Sequence, residues 1–214
     1  MRNNNMNSAL DEWLNKMPVV AIIRGVTPDE VVEIGHAIHE AGIGIIEVPL
    51  NSPEPFESIK RLSIDLGEDC VIGCGTLLNE EDAKRVAKVG GQIAVTPNTR
   101  PSVIQKCIEL GMTPMPGWAT PTEAFAAYRA GARYLKLFPA SSFGAGHIKA
   151  VKAVLPTDAK ILAVGGAGAH NAAEWIEAGI DGFGIGSDIY KAGRSAEDVH
   201  QRCKDIVDAI SSAR

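Results

Sequence analysis

Lys136 interrupts the apolar run Tyr134-Leu135-Lys136-Leu137-Phe138-Pro139-Ala140, and Glu47 lies in a second such run, Ile43–Leu50. Both runs read as buried strands, where a charged side chain is tolerated only with a partner or with its charge suppressed. A buried lysine with a depressed pKa presents a neutral amine, and a neutral amine is a nucleophile for carbonyl carbon. The plainer reading of Lys136 is a strand-end lysine that snorkels to solvent. Glu47, a carboxylate in a strand of the same type, weighs against it.

The elements that would hold these two residues recur along the chain. Short runs of aliphatic and β-branched residues fall at Val19–Gly25, Ile43–Leu50, Cys70–Leu77, Gln92–Pro97, Met112–Ala119, Tyr134–Ala140, Lys160–Gly165 and Phe183–Ser187. Near-continuous apolar runs mark strands covered on both faces. Helical segments follow them: Thr27-Pro28-Asp29-Glu30 and Thr120-Pro121-Thr122-Glu123 read as capping boxes, and Asn79 precedes three acidic residues. Gly42, Gly90, Gly111, Gly131 and Gly179 each close a helix just before the next strand. Eight strand–helix units predict a single (β/α)8 TIM barrel of the α/β class. An open doubly wound sheet would place a Gly-rich loop after the first strand, where Arg24-Gly25-Val26-Thr27 stands instead. An extra N-terminal helix, Ala9 to Met17, is expected to cap the barrel's N-terminal end. Residues 1–8 are expected to fray, leaving 9–214 as the barrel domain.

A parallel barrel places its chemistry at the C-terminal strand ends. Strand alternation puts Glu47, Pro49 and Asn51 on one face and groups Lys136 with Phe138, so Glu47 and Lys136 can both point inward. Gly165, Gly166, Gly186 and Ser187 end the seventh and eighth strands, where backbone N–H groups of such barrels commonly bind phosphate, against the alternative of simple turns. Arg24 offers a fixed cation for a carboxylate or phosphate, against the alternative of a surface ion pair. Thr76 reads equally as a ligand hydroxyl or a turn residue, and Trp118 as a pocket wall or a core residue.

Composition narrows the partners. The net charge of −5 argues against nucleic acid or an anionic membrane surface. No signal-peptide core or membrane-length apolar stretch occurs, so a cytoplasmic protein is expected. The four cysteines lack paired-ligand spacing and read as free thiols. His36 and His39 share a helix face without a third ligand at suitable spacing, and read as solvated helix residues rather than a metal site.

Ile-Ile-Arg-Gly (22–25), Glu-Val-Pro-Leu-Asn-Ser-Pro (47–53), Gly-Cys-Gly-Thr (73–76), Val-Thr-Pro-Asn (95–98), Lys-Leu-Phe-Pro-Ala (136–140), Val-Gly-Gly (164–166) and Gly-Ser-Asp (186–188) occur in this order, one per strand. Together they resemble the class I 2-keto-3-deoxy-6-phosphogluconate/galactonate aldolases, from about residue 17 to residue 210. The resemblance implies a trimeric barrel enzyme without metal or organic cofactor, which forms a Schiff base and releases pyruvate and glyceraldehyde 3-phosphate from a phosphorylated 2-keto-3-deoxy sugar acid. Carried over by position, Lys136 would form the Schiff base and Glu47 would be the general acid/base. Arg24 and Thr76 would hold the pyruvyl carboxylate, Pro97 and Phe138 would line that half of the pocket, and Gly165, Gly166, Gly186 and Ser187 would cradle phosphate. The phosphogluconate branch usually carries Glu-Val-Thr-Leu-Arg where this chain has Glu47-Val48-Pro49-Leu50-Asn51, and Thr in place of Val164. The form here is similar to the phosphogalactonate branch, which makes Asn51 and Val164 the specificity positions and leaves the carboxylate to Arg24. Trp118 stands where the resemblance leads one to expect a smaller residue. An epimerase or isomerase of the same fold would need no lysine in strand six, and a non-catalytic sugar-phosphate sensor would not keep the Lys–Glu pair.

Overall fold

The computed structural model describes residues 2–214, with side chains from residue 9 onward, so the expected fraying of residues 1–8 lies outside the fully described part. The strands are β1 (Val19–Ile22), β2 (Ile45–Pro49), β3 (Val71–Gly75), β4 (Ile93–Val95), β5 (Thr113–Met115), β6 (Gly117–Trp118), β7 (Tyr134–Leu137), β8 (Lys160–Val164) and β9 (Gly182–Ile185). They pair in parallel in the order β5-β4-β3-β2-β1-β9-β8-β7-β6. Both ends of that order belong to one segment, so the sheet closes on itself as a (β/α)8 barrel. The fifth expected strand is the one that differs. Pro116 has no N–H to continue a ladder, and the segment divides there: β5 pairs with β4, β6 pairs with β7, and the Pro116 carbonyl accepts the Lys136 N–H at 2.9 Å.

The helices are α1 (Arg2–Lys16), α2 (Val31–Glu40), α3 (Pro55–Asp65), α4 (Glu80–Lys88), α5 (Pro101–Glu109), α6 (Pro121–Arg129), α7 (Ala145–Lys152), α8 (Ala172–Glu177) and α9 (Ala196–Ala213). The capping signals act largely as read. Thr120 and Glu123 form a complete box at α6, and the Asn79 side chain accepts the Asp82 N–H at α4. At α2 the Glu30 carboxylate accepts the Thr27 N–H at 2.9 Å, but this pair closes a turn ahead of the helix, which begins only at Val31. All five helix-stop glycines have positive φ, between 81° and 106°, the region that a side chain disfavours.

Two apolar clusters divide the interior. The larger fills the layer between strands and helices. The smaller joins the inward residues Val20, Ile45, Val71, Ile93, Val95, Met115, Tyr134 and Leu162 to Leu10 and Leu14 of α1. The N-terminal helix therefore plugs the barrel from below, as its amphipathic pattern predicts. Asp11 fixes it by accepting from the Tyr134 hydroxyl at 2.7 Å and from Lys160 Nζ. The two helix histidines part ways. His36 is exposed and meets Asp65 at 2.6 Å, whereas His39, expected to be solvated, is half-buried with Nδ1 2.8 Å from Cys70 Sγ and its ring edge-on to Trp13. All four cysteines are free and buried.

Leu10 is wholly buried in the plug. Leu10→Ala is expected to lower the unfolding free energy by about 2–5 kcal/mol, measured by urea denaturation; a loss under ~1 kcal/mol would mean that α1 contributes little to the barrel.

Candidate active site

Register brings the two charged residues into the barrel. Glu47 pairs with Ile22 and Gly73, and Lys136 pairs with Gly117 and Leu162. Leu162 is an interior residue and strand residues alternate between faces, so Lys136 points inward while Leu135 and Leu137 join the outer layer. Lys136 and Glu47 are 7% and 2% exposed, which excludes a snorkelling lysine. They line one narrow cavity of about 10 Å³ together with Ile22, Met115, Val164 and Gly184.

Their electrostatics follow from this burial. Loss of hydration pushes the Glu47 carboxyl up from 4.5 to about 7, against the opposing pull of the Lys136 and Arg24 cations. Burial likewise holds the Lys136 amine below its usual 10.5; Glu47 opposes that shift and Arg24 adds to it. Glu47 Oε2 has no hydrogen-bond partner among the described residues, an arrangement that suits a carboxyl near its own pKa better than a permanent anion. The carboxyl lies directly on Gly75: a Cβ there would meet Oε2 at 2.0 Å and Oε1 at 2.3 Å. Gly75 is thus a site residue that the sequence reading did not single out, although alternation from Gly73 places it on the inner face.

At the mouth, Arg24, after β1, meets residues from the ends of two further strands. Its Nη1 donates to Asn51 Oδ1, and its Nη2 donates to Thr76 Oγ1 at 3.4 Å. Thr76 has φ of 56°, rare for a β-branched residue, and such strain persists where surrounding contacts over-determine the conformation. Ser52, quoted in the 47–53 run but given no role there, accepts the Gly25 N–H on Oγ at 2.9 Å. Its place in that run does not say what it holds; only the meeting of two loops does.

Phe138 links the halves of the site. Its ring lies 4.6 Å from Lys136 Nζ, and it packs 3.5 Å from where a Cβ of Gly165 would stand. Pro97 crosses over the neighbouring strand: its carbonyl would lie 2.4 Å from a Cβ at Gly117, the register partner of Lys136. Gly165 and Gly166 turn away from β8 with φ of 85° and 82°. Ser141 donates its N–H to the Gly165 carbonyl at 2.8 Å, and its side chain fills the space that a Cβ at Gly166 would need. Gly186 and Ser187 follow β9, the adjacent strand, so the four expected phosphate residues end neighbouring staves. Trp118 is a core residue and not a pocket wall: its register partner is the outward-facing Leu137, and its ring stacks on His147 of α7. Its size therefore falls on the helix layer and leaves the pocket untouched. No helix among the described residues is long and apolar enough to cross a membrane.

Comparison with known proteins agrees with this geometry. Residues 10–204 match the family described as "Aldolase: KDPG and KHG aldolase". The 2-dehydro-3-deoxy-6-phosphogalactonate aldolase of Escherichia coli (strain K12) is 46% identical over 202 residues, covering 94% of this chain and 98% of that protein. A protein of Rhizobium meliloti (strain 1021) named "Probable 2-dehydro-3-deoxy-6-phosphogalactonate aldolase" is 48% identical over 185 residues, 86% of this chain and 87% of its own. Among solved structures, "Native KDPGal structure" superposes with a TM-score of 0.91 at 46% identity, over 92% of this chain and 96% of that one. An inward lysine opposite a buried carboxyl in a closed parallel barrel, together with a family match over most of the chain, leads to one conclusion: this chain belongs to the KDPG and KHG aldolase family and is a carbon–carbon lyase.

Proposed function

We propose that the chain cleaves 2-dehydro-3-deoxy-6-phosphogalactonate to pyruvate and D-glyceraldehyde 3-phosphate through a Schiff base on Lys136. The observation that carries this reading is the pair of buried residues, Lys136 and Glu47, facing one cavity with opposed pKa shifts. Neutral Lys136 attacks the carbon-2 carbonyl, and loss of water gives a protonated imine. The Glu47 carboxylate takes the proton of the carbon-4 hydroxyl. The carbon 3–carbon 4 bond breaks, its electrons move into the imine to form an enamine, and the aldehyde product leaves. Protonation of the enamine at carbon 3 by Glu47, then hydrolysis, yields pyruvate and restores the amine. Arg24 and Thr76 take the carboxylate, Pro97 and Phe138 flank the pyruvyl half, and Gly165, Gly166, Gly186 and Ser187 take the phosphate. The four unpaired thiols suit the reducing cytoplasm, and the family resemblance suits a homotrimer.

Treatment with pyruvate and borohydride is expected to place a reduced adduct on Lys136, located by peptide mass spectrometry. Lys149 and Lys152 of α7, which pair with Glu177 and Asp181, should stay unmodified. Labelling on either of them, or none at all, would refute the Schiff-base assignment.

Glu47→Gln is expected to keep the fold and slow turnover by roughly two to four orders of magnitude. Stability supplies an independent reading of the same residue. Because the folded-state pKa is raised, the contribution of uncharged Glu47 is complete below about pH 4.5 and is lost as pH rises through about 7. Glutamine never ionises, so the variant should gain on the wild type between pH 5 and pH 8, by on the order of 3 kcal/mol. A gap in Tm that stays constant with pH would place the carboxyl in a wetter environment than the barrel interior.

Val164 is 7% exposed and lines the same cavity as the pair. Valine cannot take a hydrogen bond from a substrate hydroxyl, so a hydroxyl turned toward it stays unpaired. The galactonate-configured substrate should be preferred over its carbon-4 epimer by about 5- to 150-fold in kcat/KM, and Val164→Thr should narrow that ratio. Equal values for the wild type would make this a dual-specificity aldolase.

A further inference from the structure

Arg24 is exposed, and a long exposed side chain ordinarily samples many rotamers, whose loss weakens ligand binding. Here its head is restrained, and so is the backbone of the residue that follows it. The guanidinium has only donors, and it is met by two acceptors: Asn51 Oδ1, in the loop after β2, and Thr76 Oγ1 at the end of β3. Behind it, the Gly25 N–H is held by the hydroxyl of Ser52, which is 8% exposed, and Ser52 is itself fixed by donating its N–H to the Pro49 carbonyl at 2.9 Å. Two adjacent residues of one loop therefore grip adjacent residues of another, one through its amide and one through its hydroxyl.

We propose that Asn51 and Ser52 are positioning residues for carboxylate recognition. They hold Arg24 so that its remaining N–H donors are pre-set for the carboxylate of the 2-keto acid. The proposal rests on the reading of Arg24 as the carboxylate receptor, and it gives Asn51 a role on the pyruvyl half that both carbon-4 epimers share. Asn51 then acts through the arginine, not by sorting hydroxyl configuration.

Pyruvate alone tests this, because it has no carbon 4. Exchange of its methyl protons with deuterated water, followed by NMR, gives a half-saturating concentration and a maximal rate for the full-length enzyme. Asn51→Ala is expected to raise the half-saturating pyruvate about tenfold with little change in the maximal rate, and Ser52→Ala should raise it by a smaller factor. Asn51→Asp, which sets a competing carboxylate on Arg24, should raise it further than alanine does; a residue that merely packs would give Asp and Ala the same effect. Arg24→Gln should raise it by itself, and adding Asn51→Ala to that variant should change nothing more, since a positioning residue has no role once its client is gone. Additive effects in the double variant, or an unchanged half-saturation in Asn51→Ala, would overturn the positioning role. An unchanged value in Arg24→Gln would overturn the carboxylate reading beneath it, and the positioning role with it.

Discussion

The structure turns on the removal of one amine and one carboxyl from water within the same barrel. Either alone would be among the costliest side chains to bury. Placed on opposite arcs of a closed sheet, β7 and β2, they face a common cavity, and each moves toward its neutral form. Because desolvation outweighs the attraction between them, the amine is drawn toward the nucleophilic state and the carboxyl toward a pKa where it can both take and return a proton. The energy that disfavours the charged pair is thus the same energy that makes it reactive.

Room for this pair comes from glycine. In register beside Glu47 stands Gly73, beside Lys136 stands Gly117, and beside Val164 stands Gly184. Gly75, two residues beyond Gly73, lies against the Glu47 carboxyl. The lower interior has the opposite character: Val20, Ile45, Val71, Ile93 and Leu162 pack on the α1 plug. Fixing the lower half with branched apolar residues leaves the upper half free to hold polar groups at close range. The exposed ion pairs within single helices, such as Lys84–Glu81 and Arg202–Asp198, add little to that stability.

Much of the architecture follows from periodicity. Continuous apolar runs, helix-start signals and the glycine stops at 42, 90, 111, 131 and 179 specify strand and helix in turn, because each of these signals acts within a few residues. The fifth strand escapes such reading. Its apolar content suits one continuous strand, but Pro116 divides it and lets its two parts serve different neighbours, so that the sheet closes through a break in its own ladder. His39 escapes for a related reason: helix spacing says which face it occupies, but not that Trp13 and Cys70 come from elsewhere to cover it.

By itself the sequence determined the residue types of the site and the face each occupies. A lysine and a glutamate in apolar strands, with fixed parity, can both point to one interior once the barrel closes, and the register with Leu162 shows that Lys136 does. Only the tertiary structure decided what those side chains meet. That Gly75 supports the Glu47 carboxyl, that Trp118 faces the helices, and that Asn51 and Ser52 grip the Arg24 loop are contacts between segments dozens of residues apart. Alternation along a strand is a local property of the backbone, whereas the distance between two strand ends depends on the register, twist and closure of the whole sheet.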